Sequence, residues 1–244
     1  MTILAIETSS AWCSVALAVN QHTVLQRHEL VGSTASSYLL PWVNALLEEA
    51  QLTLADIDAI AVDVGPGAFT GVRLGIACVQ GLALGANVPV LSVISLDSIA
   101  MQAVLQMDVQ GYNDKELLVI LDARMGEVYW ARYRLQDSLP VRLSTPQLAL
   151  PADIALEKIN WVVGSGVNLC SAAVQALALS EMSANALGVL ACARQQLAAG
   201  LQHDVRLLEP LYVRDKVAFT SAERAGKTLP LAAQQNACGR KKYG

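Results

Sequence analysis

The stretch Gly65-Pro66-Gly67-Ala68-Phe69-Thr70-Gly71-Val72-Arg73-Leu74-Gly75 limits what this chain can fold into more than any other segment. It follows an apolar run over residues 57–64 and leads into a second that ends near Gly85, so it reads as strand, tight turn, helix. Pro66 fixes one φ, and the glycines on either side are free to take positive φ, so the backbone can reverse and enter a helix at once. Such an opening leaves the first N–H groups of the helix pointing outward, which suits an anion or a close backbone contact. The spacing is neither a Walker loop nor a G-x-G-x-x-G fingerprint, and both a packing turn and a ligand or partner contact remain open. The helix also carries Gly71, Gly75, Gly81 and Gly85, each costing roughly 1 kcal/mol against alanine in a helix interior. Gly71 and Gly75 are four apart and share a face. That face is a smooth groove for another element of this chain or for a second subunit.

Composition narrows the function classes. Of the 244 residues, 54% are hydrophobic, yet the longest apolar candidate, residues 74–86, contains Gln80 and three glycines. No transmembrane helix is therefore expected. The N-terminus shows no basic region before its first strand, so no signal peptide is expected either. Cys13, Cys78, Cys170, Cys192 and Cys238 include no C-x-x-C pair, which points to reduced thiols and a cytoplasmic protein. The formal net charge is −4 with 17 Lys+Arg and no basic stripe, so a role near RNA would need a partner. His22 and His28 carry no metal-site spacing, no G-x-S-x-G elbow is present and His203 has no evident partner. No catalytic or metal-binding residue is expected.

Read in order, Ile3-Leu4-Ala5-Ile6-Glu7-Thr8 is a strand ending in an acid, residues 13–19 a second and 22–30 a third. Leu39, Leu40, Val43, Leu46 and Leu47 give the next helix its apolar positions, with Ser33 or Thr34 as its cap. Strand 56–64, the glycine-rich helix, strand 89–93 and helix 95–107 complete a first lobe of residues 1–110. A polar cluster at 111–114 starts a second lobe, 111–219, and a polar tail fills 220–244. Leu117-Leu118-Val119-Ile120-Leu121-Asp122 is again an acid-terminated strand, followed by a partner strand at 127–135. Residues 151–159 read as a helix, 161–163 as a strand, Gly164-Ser165-Gly166 as a turn and 183–199 as a helix. Acid-terminated strand and hairpin occurring twice fits a duplicated domain, and the element order resembles the actin-like (ASKHA, ribonuclease H-like) two-lobed α/β architecture. In that architecture a nucleotide lies between the halves. Glu7, Asp122, Gly164 and Gly166 stand where its contacts are expected.

The segments Ile3-Leu4-Ala5-Ile6-Glu7-Thr8-Ser9, residues 65–75, Gln80-Gly81-Leu82-Ala83-Leu84-Gly85 and Leu121-Asp122-Ala123-Arg124-Met125-Gly126-Glu127-Val128-Tyr129 closely resemble the TsaB (YeaZ) family. The resemblance spans residues 1–135 and extends more faintly to Glu209-Pro210-Leu211-Tyr212-Val213-Arg214. It implies a duplicated actin-like fold and a non-catalytic partner of the TsaD threonylcarbamoyltransferase, required for N6-threonylcarbamoyladenosine at position 37 of tRNAs reading codons that begin with A. It implies further a heterodimer with TsaD, a complex with TsaE, only indirect contact with tRNA, no cofactor of its own and ATP or ADP only at the level of the complex. A homodimer is left open. TsaD is similar in fold but carries a His-x-x-x-His metal pair where this chain reads Ser95-Leu96-Asp97-Ser98-Ile99. The family pairs through the helices at 36–50 and 69–84, which makes Leu39, Leu40, Val43, Leu47, Phe69, Gly71, Val72, Gly75 and Val79 the expected partner contacts. Ala35 replaces a His frequent in the family. The rival readings are an actin-like ATP-dependent phosphotransferase or ATPase, a glycoprotease, and a self-associating protein with no tRNA role.

Overall fold

The structure, a computed structural model, describes residues 1–107, 112–179 and 182–214. The expected tail at 220–244, with Cys238, and the centre of the expected lobe boundary, Gly111, lie outside the described residues. Residues Met1–Val213 form one compact unit. Strands β1 (Ile3–Glu7), β2 (Trp12–Ala18) and β3 (Val24–Leu30) make an antiparallel meander. Helix α1 (Ala35–Ala50) leads to β4 (Ala59–Asp63), and α2 (Phe69–Ala86) to β5 (Val90–Val93), the two strands adding in parallel beside β1. The sheet order is β3-β2-β1-β4-β5. Helix α3 (Ser95–Gln106) then leads to a second sheet built of β6 (Glu116–Asp122), β7 (Val128–Gln136), β8 (Leu139–Arg142), β9 (Gln147–Ala149) and β10 (Ile159–Val163). Its order is β10-β6-β7-β8 with β9 also on β7. Here β6 pairs antiparallel with β7 and parallel with β10, as β1 does with β2 and β4. The repeat read from the acid-terminated strands is thus a repeat of topology, and the fold is a duplicated actin-like α/β fold.

Alternation along β1 separates two cores. Leu4 and Ile6 face α1 and α2, whose Leu39, Val43, Leu46, Val72, Ile76 and Val79 complete one cluster. Ile3 and Ala5 face the other way, where Ala16, Ala18, Ala59 and Ala61 leave room for the close approach of α5 (Ala186–Ala198). The short α4 (Ala172–Gln175) packs beside β10 through Val174. Helix α3 serves both sheets. Its Met101 packs with α5 on the first, while Leu96, Ile99, Ala100 and Ala103 pack against β6 and β7 on the second. Asp97 extends that link, accepting from Tyr133 Oη at 2.7 Å and from Arg142 Nη1 at 2.9 and 3.0 Å.

The glycines of α2 divide by face. A Cβ on Gly71 would overlap the Thr8 carbonyl oxygen, and one on Gly75 would meet Thr8 Oγ1 at 2.7 Å. Thr8 Oγ1 donates to the Gly71 carbonyl at 2.7 Å. The Gly71/Gly75 groove is therefore filled by β1 of the same chain, and the second-subunit alternative for it is corrected. A Cβ on Gly81 or Gly85 would meet nothing within 4 Å beyond its own helix. By length and by a mean hydropathy of 1.4, α2 does qualify as a membrane span, contrary to expectation, but its Val72, Gly75, Ile76, Val79 and Ala83 stripe is buried on the sheet. Other differences are local. Residues 151–159 hold only a 3-10 turn at Pro151–Asp153 before β10 begins, because Ile154 already takes extended backbone (φ −73, ψ 114). The α1 N-terminus has no side-chain cap, since Thr34 Oγ1 bonds Val31 O instead.

Thermal denaturation separates the two glycine faces. Gly71→Ala drives a methyl group into fixed backbone and is expected to cost about 1–3 kcal/mol, as overpacking does. Gly81→Ala should gain up to about 1 kcal/mol, as an exposed helix interior allows. Equal shifts for the two variants would contradict this packing.

Candidate functional site

A cleft of about 850 Å³ opens beside the ends of β1 and β6, lined by Ser9, Ser10, Trp12, Pro66, Gly67, Asp122, Arg124 and Ser165 among others. Gly65 takes φ +97 and precedes a cis peptide to Pro66. Gly67 is needed for a different reason: a Cβ there would overlap the Ser9 carbonyl, to which Ala68 N–H donates at 2.6 Å. The turn is thus seated on β1, so the reading of it as a packing turn holds, with Gly67 and Ala68 still bordering the cleft.

Of the residues expected to hold a nucleotide, Asp122 lines this cleft, but its carboxylate accepts from Arg124 N–H at 2.7 Å and pairs with the Arg124 guanidinium at 3.1 Å. Gly164 (φ +113) and Gly166 instead press on the backbone of Ile120, Leu121 and Asp122, so their small size serves the packing of the turn on β6. Glu7 is fully buried and does not line the cleft. Of these four residues, Asp122 alone lines the cleft. Among the described residues, no group of three or more His, Cys, Asp and Glu side chains could hold a metal ion.

Glu7 belongs to a buried cluster that sequence reasoning had only half found. Ser9 donates to Glu7 Oε1 through N–H at 2.5 Å and through Oγ at 2.6 Å. Asp63, the acid that ends β4, accepts at Oδ1 from Gly65 N–H at 2.7 Å and from Ser95 Oγ at 2.6 Å. Ser95 Oγ also lies 3.5 Å from Ser9 Oγ. The second oxygens, Glu7 Oε2 and Asp63 Oδ2, have no partner among the described groups. Burial pushes Glu7 well above the usual carboxylate range, and the charge of Asp63 adds to it. Burial likewise pushes Asp63 up to about 7, against the pull of the bonds from Ser95 and Gly65. Two such acids hold protons more readily folded than unfolded. The signal that could have found Asp63 was present: it ends a strand, as Glu7 and Asp122 do.

On the opposite side of the same sheet, α1 and α2 touch each other and turn one face outward. Leu39, Val43, Leu47, Val72 and Val79, expected to meet a partner, are all within the core, and Gly71 and Gly75 face β1. The apolar periodicity that singled them out belongs to the stripe that packs on the sheet, which corrects that set. Leu40 and Phe69 of the expected set are exposed, and Tyr38 and Leu84, which the sequence did not single out, are exposed with them. Leu84 is 65% exposed, one residue from Gly85 and three from Gly81.

The acid cluster gives a pH prediction. Because the folded pKa of Asp63 lies above its unfolded value, the associated stability is complete below about pH 4 and is lost as pH rises through about 7. Asp63→Asn keeps the acceptor for Ser95 and Gly65 and removes the titration. Its melting temperature should exceed that of the wild type at pH 8 by more than at pH 5; parallel curves would show that Asp63 does not titrate with folding.

Comparison with known proteins places this geometry. Residues 29–155 match the family model for TsaD, tRNA N6-adenosine threonylcarbamoyltransferase. The tRNA threonylcarbamoyladenosine biosynthesis protein TsaB of Escherichia coli (strain K12) is 34% identical over 230 residues, covering 90% of this chain and 97% of that protein. The solved structure of YeaZ from Pseudomonas aeruginosa superposes with a TM-score of 0.75 at 33% identity, covering 86% of this chain and 99% of that one. A structure described as an uncharacterized protein with similarity to peptidase YEAZ, from the same organism, gives 0.76 at 32%, covering 87% and 99%. With this agreement in sequence along nearly its whole relative and in fold, the chain belongs to the TsaB (YeaZ) family.

Proposed function

We propose that this chain is the non-catalytic partner of a TsaD-type threonylcarbamoyltransferase, required for N6-threonylcarbamoyladenosine at position 37 of tRNAs that read codons beginning with A. Involvement in threonylcarbamoyladenosine biosynthesis follows from the family to which it belongs; the accessory role is the further step. The observation that carries it is the outer face of α2. Gly81 and Gly85 cost helix stability although a Cβ at either would meet open space, and Phe69 and Leu84 are large apolar groups left at 47% and 65% exposure. Small residues flanked by apolar ones let another helix approach closely, and a partner would offset both costs.

The interior of α3 supports a lack of catalysis by this chain. Ser95 and Ile99, at the positions of the metal-binding histidines in the resemblance to TsaD, are both fully buried, Ser95 bonded to Asp63 and Ile99 within the second core. In this reading TsaE joins the TsaB–TsaD pair, any ATP or ADP is held by the complex, tRNA is reached through the partner, and the work is cytoplasmic. A homodimer would use the same outer face.

Depletion of the protein, followed by mass spectrometry of nucleosides from digested tRNA, tests the proposal. The threonylcarbamoyladenosine level should fall, be restored by the wild-type chain and not be restored by Leu84→Glu. An unchanged level on depletion would sink the assignment and bring the ATP-dependent phosphotransferase forward.

A further inference from the structure

Near the start of α2 the outer face carries one cation in an unusual setting. The Arg73 guanidinium lies over the Phe69 ring with Cζ 3.3 Å from its centroid, and 5.4 Å from the centroid of Tyr212. Arg73 Nη2 donates to Tyr212 Oη at 2.5 Å. Phe69 and Tyr212 are themselves 6.5 Å apart, centroid to centroid. Tyr212 is brought there by the C-terminal segment, which Leu211 N–H fastens to the Val64 carbonyl at 2.8 Å and the Gln80 side chain to the Leu208 carbonyl at 3.3 Å. Arg27, Arg124, Arg132, Arg134, Arg142 and Arg206 each pair with a carboxylate. Arg73 has no carboxylate partner among the described residues, and it is exposed.

We infer that Arg73, held flat by Phe69 and Tyr212, is the anchor of the α2 interface and receives a carboxylate side chain from the protein that docks there. This rests on the partner reading above and names the chemistry of its contact. Three properties point to a carboxylate. The guanidinium is already ordered by two rings, so little rotamer freedom is lost when a bidentate pair forms. Its remaining N–H donors match the fork of an Asp or Glu. Phe69 and Tyr212 flank it with apolar exposed surface that another protein would cover and so strengthen the pair. A polyanion such as RNA is a poorer match, since Arg73 is the one cation of α2 and the chain has a net charge of −4. Interface energy concentrates in buried Arg and Tyr groups of this kind.

The test is binding of the full chain to the TsaD-type subunit of the same organism by calorimetry, at 50 and 500 mM NaCl. Arg73→Ala should weaken binding at least tenfold at low salt and flatten its salt dependence, with the far-UV circular dichroism spectrum of the wild type retained. Tyr212→Phe, which keeps the ring, should bind nearly as the wild type. Arg73→Glu should be rescued by reversing one acidic residue of the partner. Wild-type affinity and salt slope in Arg73→Ala, with Leu84→Glu still disruptive, would overturn the anchor and leave the docking face standing. If Leu84→Glu also binds normally, the docking face fails with it. Loss of a homodimer or of tRNA binding in Arg73→Ala, with partner affinity intact, would overturn the proposal in favour of that other occupant.

Discussion

The contact on which the rest of this structure depends is backbone against backbone, where the end of β1 meets the start of α2. Gly67 sits on the Ser9 carbonyl and Gly71 on the Thr8 carbonyl, with no room for a Cβ at either place. Sequence puts glycine there, local structure turns it into a sharp entry to a helix, and packing brings that helix close enough for Thr8 to bond the Gly71 carbonyl. The same device recurs. Gly164 and Gly166 press on β6, and Gly188 of α5 would clash with the Ser98 carbonyl of α3 if it carried a Cβ. Duplication of the fold is thus also a duplication of how its turns are seated.

That close approach creates the buried acid cluster as a by-product of topology. In a parallel pair such as β1 and β4, the strand ends lie side by side, so acids that end both strands come together. Glu7 and Asp63 are tolerated because serines and backbone N–H groups bond one oxygen of each and because burial favours the protonated form. An acid so enclosed is suited to holding Ser9 and Ser95 in place. It is poorly placed to meet a ligand in the cleft above.

The first sheet is covered unequally. On one side α5 and α3 close over an alanine-lined surface, and α3 is itself flanked by the second sheet. On the other, α1 and α2 cover the sheet with one stripe and keep a second apolar stripe outside. A helix with apolar residues on two faces has one face for its own core and one for something else. This asymmetry links the packing of α2 to an accessory role.

Much of this could be read from the sequence. Residues 65–75 dictated strand, turn and helix because glycine and proline leave the backbone few alternatives, and the acid-terminated strands announced the duplication. Arg73 stands four residues after Phe69, but nothing in that spacing says that Tyr212 joins them. What only the tertiary structure decided was direction: which glycines of α2 face inward, which acids meet, and that Leu39, Val43, Leu47, Val72 and Val79 serve the core. The physical reason is that spacing along a helix defines faces but does not say which one a sheet will occupy. Gly71 and Gly81 are the same residue in the same helix, and only the position of the Thr8 carbonyl tells them apart.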